Sequence, residues 1–273
     1  MAEIHASYKE SNELHDKTGD YEGGACLVKH VTEFVDADSC SYRWQGVKKA
    51  GMEPGKSTYN AHGNPKHHVG AKSTGAFEPN DTARVEGSPG MAGLVVGITK
   101  NKLYNLVKIT NFTTGSVPYS NQVHHVLNAS SLRGGIDAIA EIWGPIREVI
   151  INGLLTEKYN LNHHDNNIIL PTGSGHCRKT GLPKHRGAHP GYSSEILGKV
   201  KIALTPYETI ANQLKDKEEH DPPDPKQLKK DFVAISNTMY ASIITLAATN
   251  RASNAFMTIN NLPASAFATS PAV

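Results

Sequence analysis

The chain has 273 residues, 38% of them hydrophobic and 20% charged, with a formal net charge of +2. That length buries a real core in one or two domains, and the near balance of charge excludes the global field of a strongly basic nucleic-acid binder, so any basic grip must be local. Three cysteines, Cys26, Cys40 and Cys177, are too few and too odd in number for a disulfide framework, and they show no metal-ligand spacing.

Residues 1–17 are polar and lack the apolar segment of a secretory signal. The most apolar run, residues 239–248, falls well short of the ~20 residues of a membrane span. The expectation is a soluble chain, cytoplasmic in the producing cell and without a membrane partner. If it is delivered into a target cell, it uses secretion machinery that does not read such a signal.

Residues 26–35 form a short apolar pattern compatible with strand or helix, and 48–90 are rich in Gly, Pro, Asn, Ser and Thr and read as loops and turns. Residues 91–98 and 102–110 are rich in Val, Ile and Leu and read as strands. From about residue 116 the texture changes. Residues 117–127 are extended by composition. Ile136, Ile139, Ala140, Trp143, Ile146 and Ile150 then recur at helical spacing, with Gly144-Pro145 kinking or dividing that helix. A brief strand over 167–170 ends at Pro171, and 172–191 is a glycine-containing, basic, flexible stretch. Helices are expected over 192–204, 206–219 and 227–249, with a stiff Pro-rich linker at 221–225 and a disordered tail at 261–273. Three regions follow: 1–115 of unassigned role, 116–205 carrying the chemistry, and a helical extension at 206–273.

The compositional outlier is histidine, with 14 residues that include the adjacent pairs His67-His68, His124-His125 and His163-His164. Neutral imidazoles bind transition metals and accept protons near neutral pH. Three segments stand in order: Val123-His124-His125, Asn166 through Leu170-Pro171, and His185-x-x-x-His189-x-x-Tyr192. Phosphodiester hydrolysis needs an activated water, a cation on the phosphate and help for the leaving oxygen. Adjacent strand residues point to opposite faces, so a His-His pair at the edge of a site can set one ring on a metal and the other on the water. A helix starting near 190–194 would add partial positive charge where a phosphate lies. Gly187 and Pro190 oppose the alternative of a zinc-protease helix carrying His185 and His189, and no Glu follows His185. The pairs His67-His68 and His163-His164 read as polar turns, although His164 or Asp165 could also reach the metal. Arg178, Lys179, Lys184 and Arg186 crowd around the last histidines and read equally as phosphate contacts or as a solvated face.

Over residues 117–204 these motifs resemble the AHH family of the HNH/endonuclease VII superfamily, ββα-metal nucleases common as toxin domains in bacterial polymorphic and secreted effector systems. Two departures are Val123 in place of the first Ala and Asn167 where Gly is common, so Asn166 and Asn167 compete for the Asn position. The resemblance implies an α+β fold around a ββα-metal finger nuclease core, and a divalent metal, Mg²⁺ or Zn²⁺. It implies His124 and His189 as ligands, His185 as a further ligand or phosphate contact, and His125 as general base. Asn166 would orient the base or stabilise the turn, Tyr192 would support His189, and Arg178, Lys184 and Arg186 would meet phosphate. The implied partners are DNA, or RNA in its place, a cognate immunity protein and a secretion-system component. Two other readings remain: a non-catalytic structural-zinc module, and a metal hydrolase acting on a non-nucleic-acid substrate.

Overall fold

The computed structural model describes residues 15–19, 22–29, 34–52, 58–59, 68–69, 76–77, 112, 115, 120–185, 187–215 and 221–267. The strands expected over 91–98 and 102–110, together with His67 and Arg186, lie outside them.

Strands β1 (His15–Asp16) and β2 (Ala25–Cys26) pair antiparallel. Helix α1 (Tyr42–Gly51) follows, begun by Ser41, whose side chain accepts from the Trp44 amide. It runs into the stretch whose composition favours turns. A small hairpin, β3 (His68–Val69) with β4 (Ala76–Phe77), comes next. The central pair is β5 (Asn121–His125) with β6 (Asn167–Pro171), antiparallel, with His124 opposite Ile168 and His125 opposite Asn167.

Two helices sit between these strands, α2 (Ala129–Ala140) and α3 (Ile146–Thr156), so Gly144-Pro145 divides the expected helix in two. Asn128 caps α2 by accepting from the Ser131 amide at 2.8 Å, a contact typically worth about 1 kcal/mol. After β6 come α4 (Ser174–Thr180), α5 (Pro190–Ala203), α6 (Thr205–Leu214) and α7 (Pro225–Ser253). Helix α4 falls where the glycine-containing sequence suggests a flexible stretch. Buried Cys177 anchors it, and Gly181 ends it in the left-handed region. The stiff segment at 221–225 supplies the α7 N-cap, Asp224, and its first residue, Pro225. The antiparallel β5–β6 pair and α5 give the expected ββα unit, inside a mixed α/β fold.

The core is continuous across these elements. Gly46 of α1 lies so close to β5 that a Cβ there would sit 2.9 Å from Val123 Cγ1. On α7, Leu228, Phe232, Ser236, Met239, Tyr240, Ile243, Ile244, Ala247 and Asn250 are buried at helical spacing. By length and apolar content this helix would suffice to cross a membrane, contrary to the reading of the shorter run 239–248. The helix continues through Ser236 and Asn250, which interrupt the apolar run in sequence, and its apolar stripe faces the core.

Residues 261–267 depart from the disorder their composition implies, and 268–273 lie outside the described residues. Asn261 closes a 3₁₀ turn, Ala264–Ala266 forms another and Ala266 is buried. The Lys199 ammonium donates to the Phe267 carbonyl at 2.7 Å, and Leu262 and Phe267 pack on the core. A few apolar side chains with a surface to cover are enough to order a segment of low charge.

Candidate active site

Alternation along β5 sends His124 and His125 to opposite faces of the strand. Behind His124 stands Tyr192 of α5, its ring centroid 5.0 Å away and its hydroxyl donating to the Val126 carbonyl at 2.6 Å. That bond ties the finger helix to the end of the strand.

His185 reaches the same place from the segment after α4. Its amide donates to the Pro171 carbonyl at 2.9 Å, so the end of β6 fixes its backbone. The preceding turn is clamped by α7: Asn250 donates to the Gly181 carbonyl at 3.1 Å and Arg251 to the Thr180 carbonyl at 3.3 Å. Gly181 has φ +73°, and a Cβ there would lie 1.8 Å from the Ala247 carbonyl oxygen, so only glycine fits. The C-terminal segment closes the other side, through Lys184 N to Met257 O at 2.8 Å and Ile259 N to Lys184 O at 3.0 Å.

His189 is the N-cap of α5. Its carbonyl accepts from the Ser193 amide at 3.0 Å, and its Nδ1 faces Ser193 Oγ at 3.4 Å. One donor atom from each of His124, His185 and His189 lies within 4.8 Å of the others. His124 Nδ1 and His185 Nε2 are 3.2 Å apart. Two nitrogens bound to one tetrahedral zinc would be about 3.3 Å apart.

Electrostatics favour the same use. Burial, then the neighbouring His185 and His189, holds His124 well below the usual histidine range. Burial lowers His185 to about 4, and burial also lowers His189. All three rings are therefore neutral at pH 7, the state that coordinates metal. Buried His124 Nε2 and His185 Nδ1 have no hydrogen-bond partner among the described residues. These are not the two nitrogens that approach at 3.2 Å, so they call for outer partners such as water, while the three converging imidazoles themselves fit a borderline transition metal.

His125 faces the other way, against the Tyr42 ring at 4.7 Å between centroids. Its Nε2 lies 3.0 Å from Asn162 Oδ1. Asn162 Nδ2 donates to the Val28 carbonyl at 2.9 Å and toward Cys26 Sγ at 3.3 Å. The Asn162 oxygen therefore faces His125, which must carry its proton on Nε2, and Nδ1 is the basic nitrogen.

Both faces of the strand end open onto one cavity of about 560 Å³, lined by His124, His125, His185 and His189 with Lys29, Arg133 and Asn128. Lys29 and Arg133 thus supply its cationic wall. Neither stands out in the sequence, because Lys29 lies far ahead of the motif and Arg133 reads as an ordinary charge on a helix.

The other expected contacts sit elsewhere. Arg178 donates to the Asn254 carbonyl at 3.2 Å and rests on the Phe256 ring, while Lys184 reaches Ser174 Oγ at 3.2 Å. Neither lines the histidine cavity. Asn166 is occupied in bracing the turn: its Oδ1 accepts from the Leu127 amide and Ser236 Oγ, and its Nδ2 donates to the Leu127 and Leu161 carbonyls. It lines a separate cavity of about 670 Å³ against α7. Asn167 donates to the Asn162 and His163 carbonyls. Asn167 stands opposite His125 in the β5–β6 ladder, but the side-chain bonds described for both asparagines go elsewhere. The side-chain oxygen on His125 Nε2 is that of Asn162, which sequence reasoning misses; its one signal is its place at the head of the Asn162-His163-His164 run. Asp165 pairs with Lys49 at 3.0 Å and with His163; the His163-His164 pair sits at a 3₁₀ turn where Glu22, His163 and His164 each bring a donor atom within 4.8 Å of the others.

The likeness of this chain to known proteins falls on the same region. Residues 105–231 match the AHH family. That family is described as a nuclease family of the HNH/ENDO VII superfamily with conserved AHH. The AHH match runs beyond 117–204 on both sides, taking in α6 and the start of α7. No curated protein and no solved structure matches the chain.

Proposed function

We propose that this AHH segment is a metal-dependent endonuclease that cuts DNA, or RNA in its place, as an antibacterial effector toxin. The observation that carries the enzymatic part is the convergence of His124, His185 and His189 beside His125 in one cavity walled by Lys29 and Arg133. An all-imidazole donor set favours Zn²⁺ over Mg²⁺, which prefers oxygen ligands. A divalent ion held there would supply Lewis acidity toward the scissile phosphate and the departing oxygen. His125 takes the proton of the attacking water at Nδ1, oriented through Nε2 by Asn162. Lys29 and Arg133 hold the phosphate backbone without reading bases, so the site serves many sequences.

The toxin role rests on the family resemblance, as do delivery by a secretion system and a cognate immunity protein that covers the cavity. The deciding experiment compares wild type with His125→Ala on plasmid DNA and total RNA, with and without EDTA. The expected result is metal-dependent cutting reduced by ~10²–10⁴ in the variant. A folded, metal-loaded wild type that leaves both substrates intact ends the nuclease proposal. Expression in a naive bacterium tests the toxin role, with survival expected only for His125→Ala.

A further inference from the structure

A second set of soft donors converges outside the imidazole cavity. His15 of β1, Cys26 of β2 and Cys40, two residues before α1, each bring one donor atom within 4.8 Å of the other two. His15 and Cys26 face one another across the β1–β2 ladder. Cys40 Sγ lies 3.3 Å from His15 Nδ1. Both thiols are buried, and His15 is half-buried.

Each donor is held by its own scaffold. The Cys26 amide donates to the Tyr159 carbonyl at 2.9 Å, and its carbonyl accepts from Leu161 at 2.7 Å. Cys40 N donates to Asp38 Oδ1 at 2.8 Å, and Asp38 is ion-paired with Lys17. We propose that His15, Cys26 and Cys40 bind a second metal ion of the zinc class. This site does not depend on the nuclease reading.

On a tetrahedral zinc, a nitrogen and a sulfur ligand lie about 3.6 Å apart and two sulfurs about 3.8 Å apart. The Cys40–His15 separation of 3.3 Å and the 4.8 Å limit on all three atoms need only small adjustment to meet that geometry. Binding replaces two S–H bonds by two metal–thiolate bonds and releases both protons to solvent. The charge of the ion is then cancelled by the thiolates, as a buried position requires. A Cys26–Cys40 disulfide would compete for the same sulfurs, but it has no use for the imidazole nitrogen aimed at them. The three protein donors leave the fourth position to water on the half-exposed His15 side.

The site also touches the machinery described above. Asn162 Nδ2 reaches Cys26 Sγ at 3.3 Å, and its Oδ1 holds His125. Metal on Cys26 would therefore fasten the N-terminal strands to the wall that orients the base.

The test is a Co²⁺ titration of the full chain, purified under reductant. Thiolate ligation produces an intense near-ultraviolet charge-transfer band, to which the all-nitrogen histidine cavity contributes nothing. The expected result is a band whose saturated intensity matches one thiolate-bound cobalt per chain, lost in Cys40→Ser and retained in Cys177→Ser and His124→Ala. His15→Ala should weaken cobalt binding at this site at least tenfold. A folded wild type without the band overturns the proposal, as does a band that survives Cys40→Ser. A wild type that carries a Cys26–Cys40 disulfide under reductant, two hydrogens lighter by mass, overturns it as well. Zinc-edge X-ray absorption on wild-type protein tests the same site without a variant: sulfur near about 2.3 Å supports it, and a shell of nitrogen and oxygen alone overturns it.

Discussion

The all-imidazole triad and the thiol–imidazole triad use the same device, side chains from distant segments brought to one point, yet their donors suit different work. His124, His185 and His189 are three neutral imidazoles opening on a cavity of about 560 Å³ with cationic walls. His15, Cys26 and Cys40 pair two buried thiols with one imidazole, and none of them lines that cavity. A centre that must admit phosphate and water needs an open face, whereas one that fastens strands needs tight, charge-cancelling ligands. Donor type and the adjoining cavity separate the two, because burial is alike in both: two donors buried and one half-buried.

The sharpest way to break the comparison is to remove a ligand from the open triad. His189→Ala should cost more than the ~10–100-fold in metal affinity expected for losing an outer partner, with cutting falling below detection. Isothermal titration with Zn²⁺ alongside the plasmid assay checks this, and unchanged affinity would take His189 out of the centre.

Next comes the bridge between the triads. Asn162→Ala should lower kcat about 10–100-fold with metal stoichiometry at the histidines unchanged. Asn162→Asp places a carboxylate on His125 Nε2, favours the imidazolium and should move the acid limb of the pH–rate profile upward. A profile that does not move would mean that Asn162 acts only on packing.

The scaffold shared by both triads gives a smaller effect. A Cβ at Gly46 would press on Val123 Cγ1 at 2.9 Å, so Gly46→Ala should cost ~1–3 kcal/mol by pushing α1 off the β5–β6 pair. Thermal unfolding measures it, and an unchanged Tm would show that the helix shifts freely.

The smallest expected effect is in pH. Burial, then His163, lowers His164 to about 4 in the fold, while the unfolded chain titrates near the ordinary value of 6.5. Between those values the unfolded state binds more protons, so this contribution to stability is complete above 6.5 and is lost as pH falls toward 4. Tm should drop from pH 7 to pH 5, and His164→Gln should flatten the slope. An equal slope in the variant would place the loss elsewhere.

Much of the open triad is legible in the sequence because its chemistry is concentrated in short motifs: the paired histidines of β5, the spaced pair before α5, and a helix divided at Gly144-Pro145. What stays hidden depends on contacts across long separations. Lys29 reaches the cavity from a segment with no motif, and Asn162 is one asparagine among several until its amide is seen between Val28 and His125. Arg178 and Lys184 are neighbours of the motif in sequence, but α4 turns them toward the C-terminal segment and Ser174. Cys26 and Cys40 have no ligand spacing along the chain, and only the β1–β2 pairing and the turn before α1 bring them together with His15.

His185 stands 61 residues beyond His124, and its position depends on Pro171 and on a turn gripped by α7 near the far end of the chain. An unfolded copy carries every ligand and has no centre. The centre therefore exists only with α7 docked on the turn that carries His185. Anything that frees α7 from that turn should dismantle the site while every ligand stays in the chain.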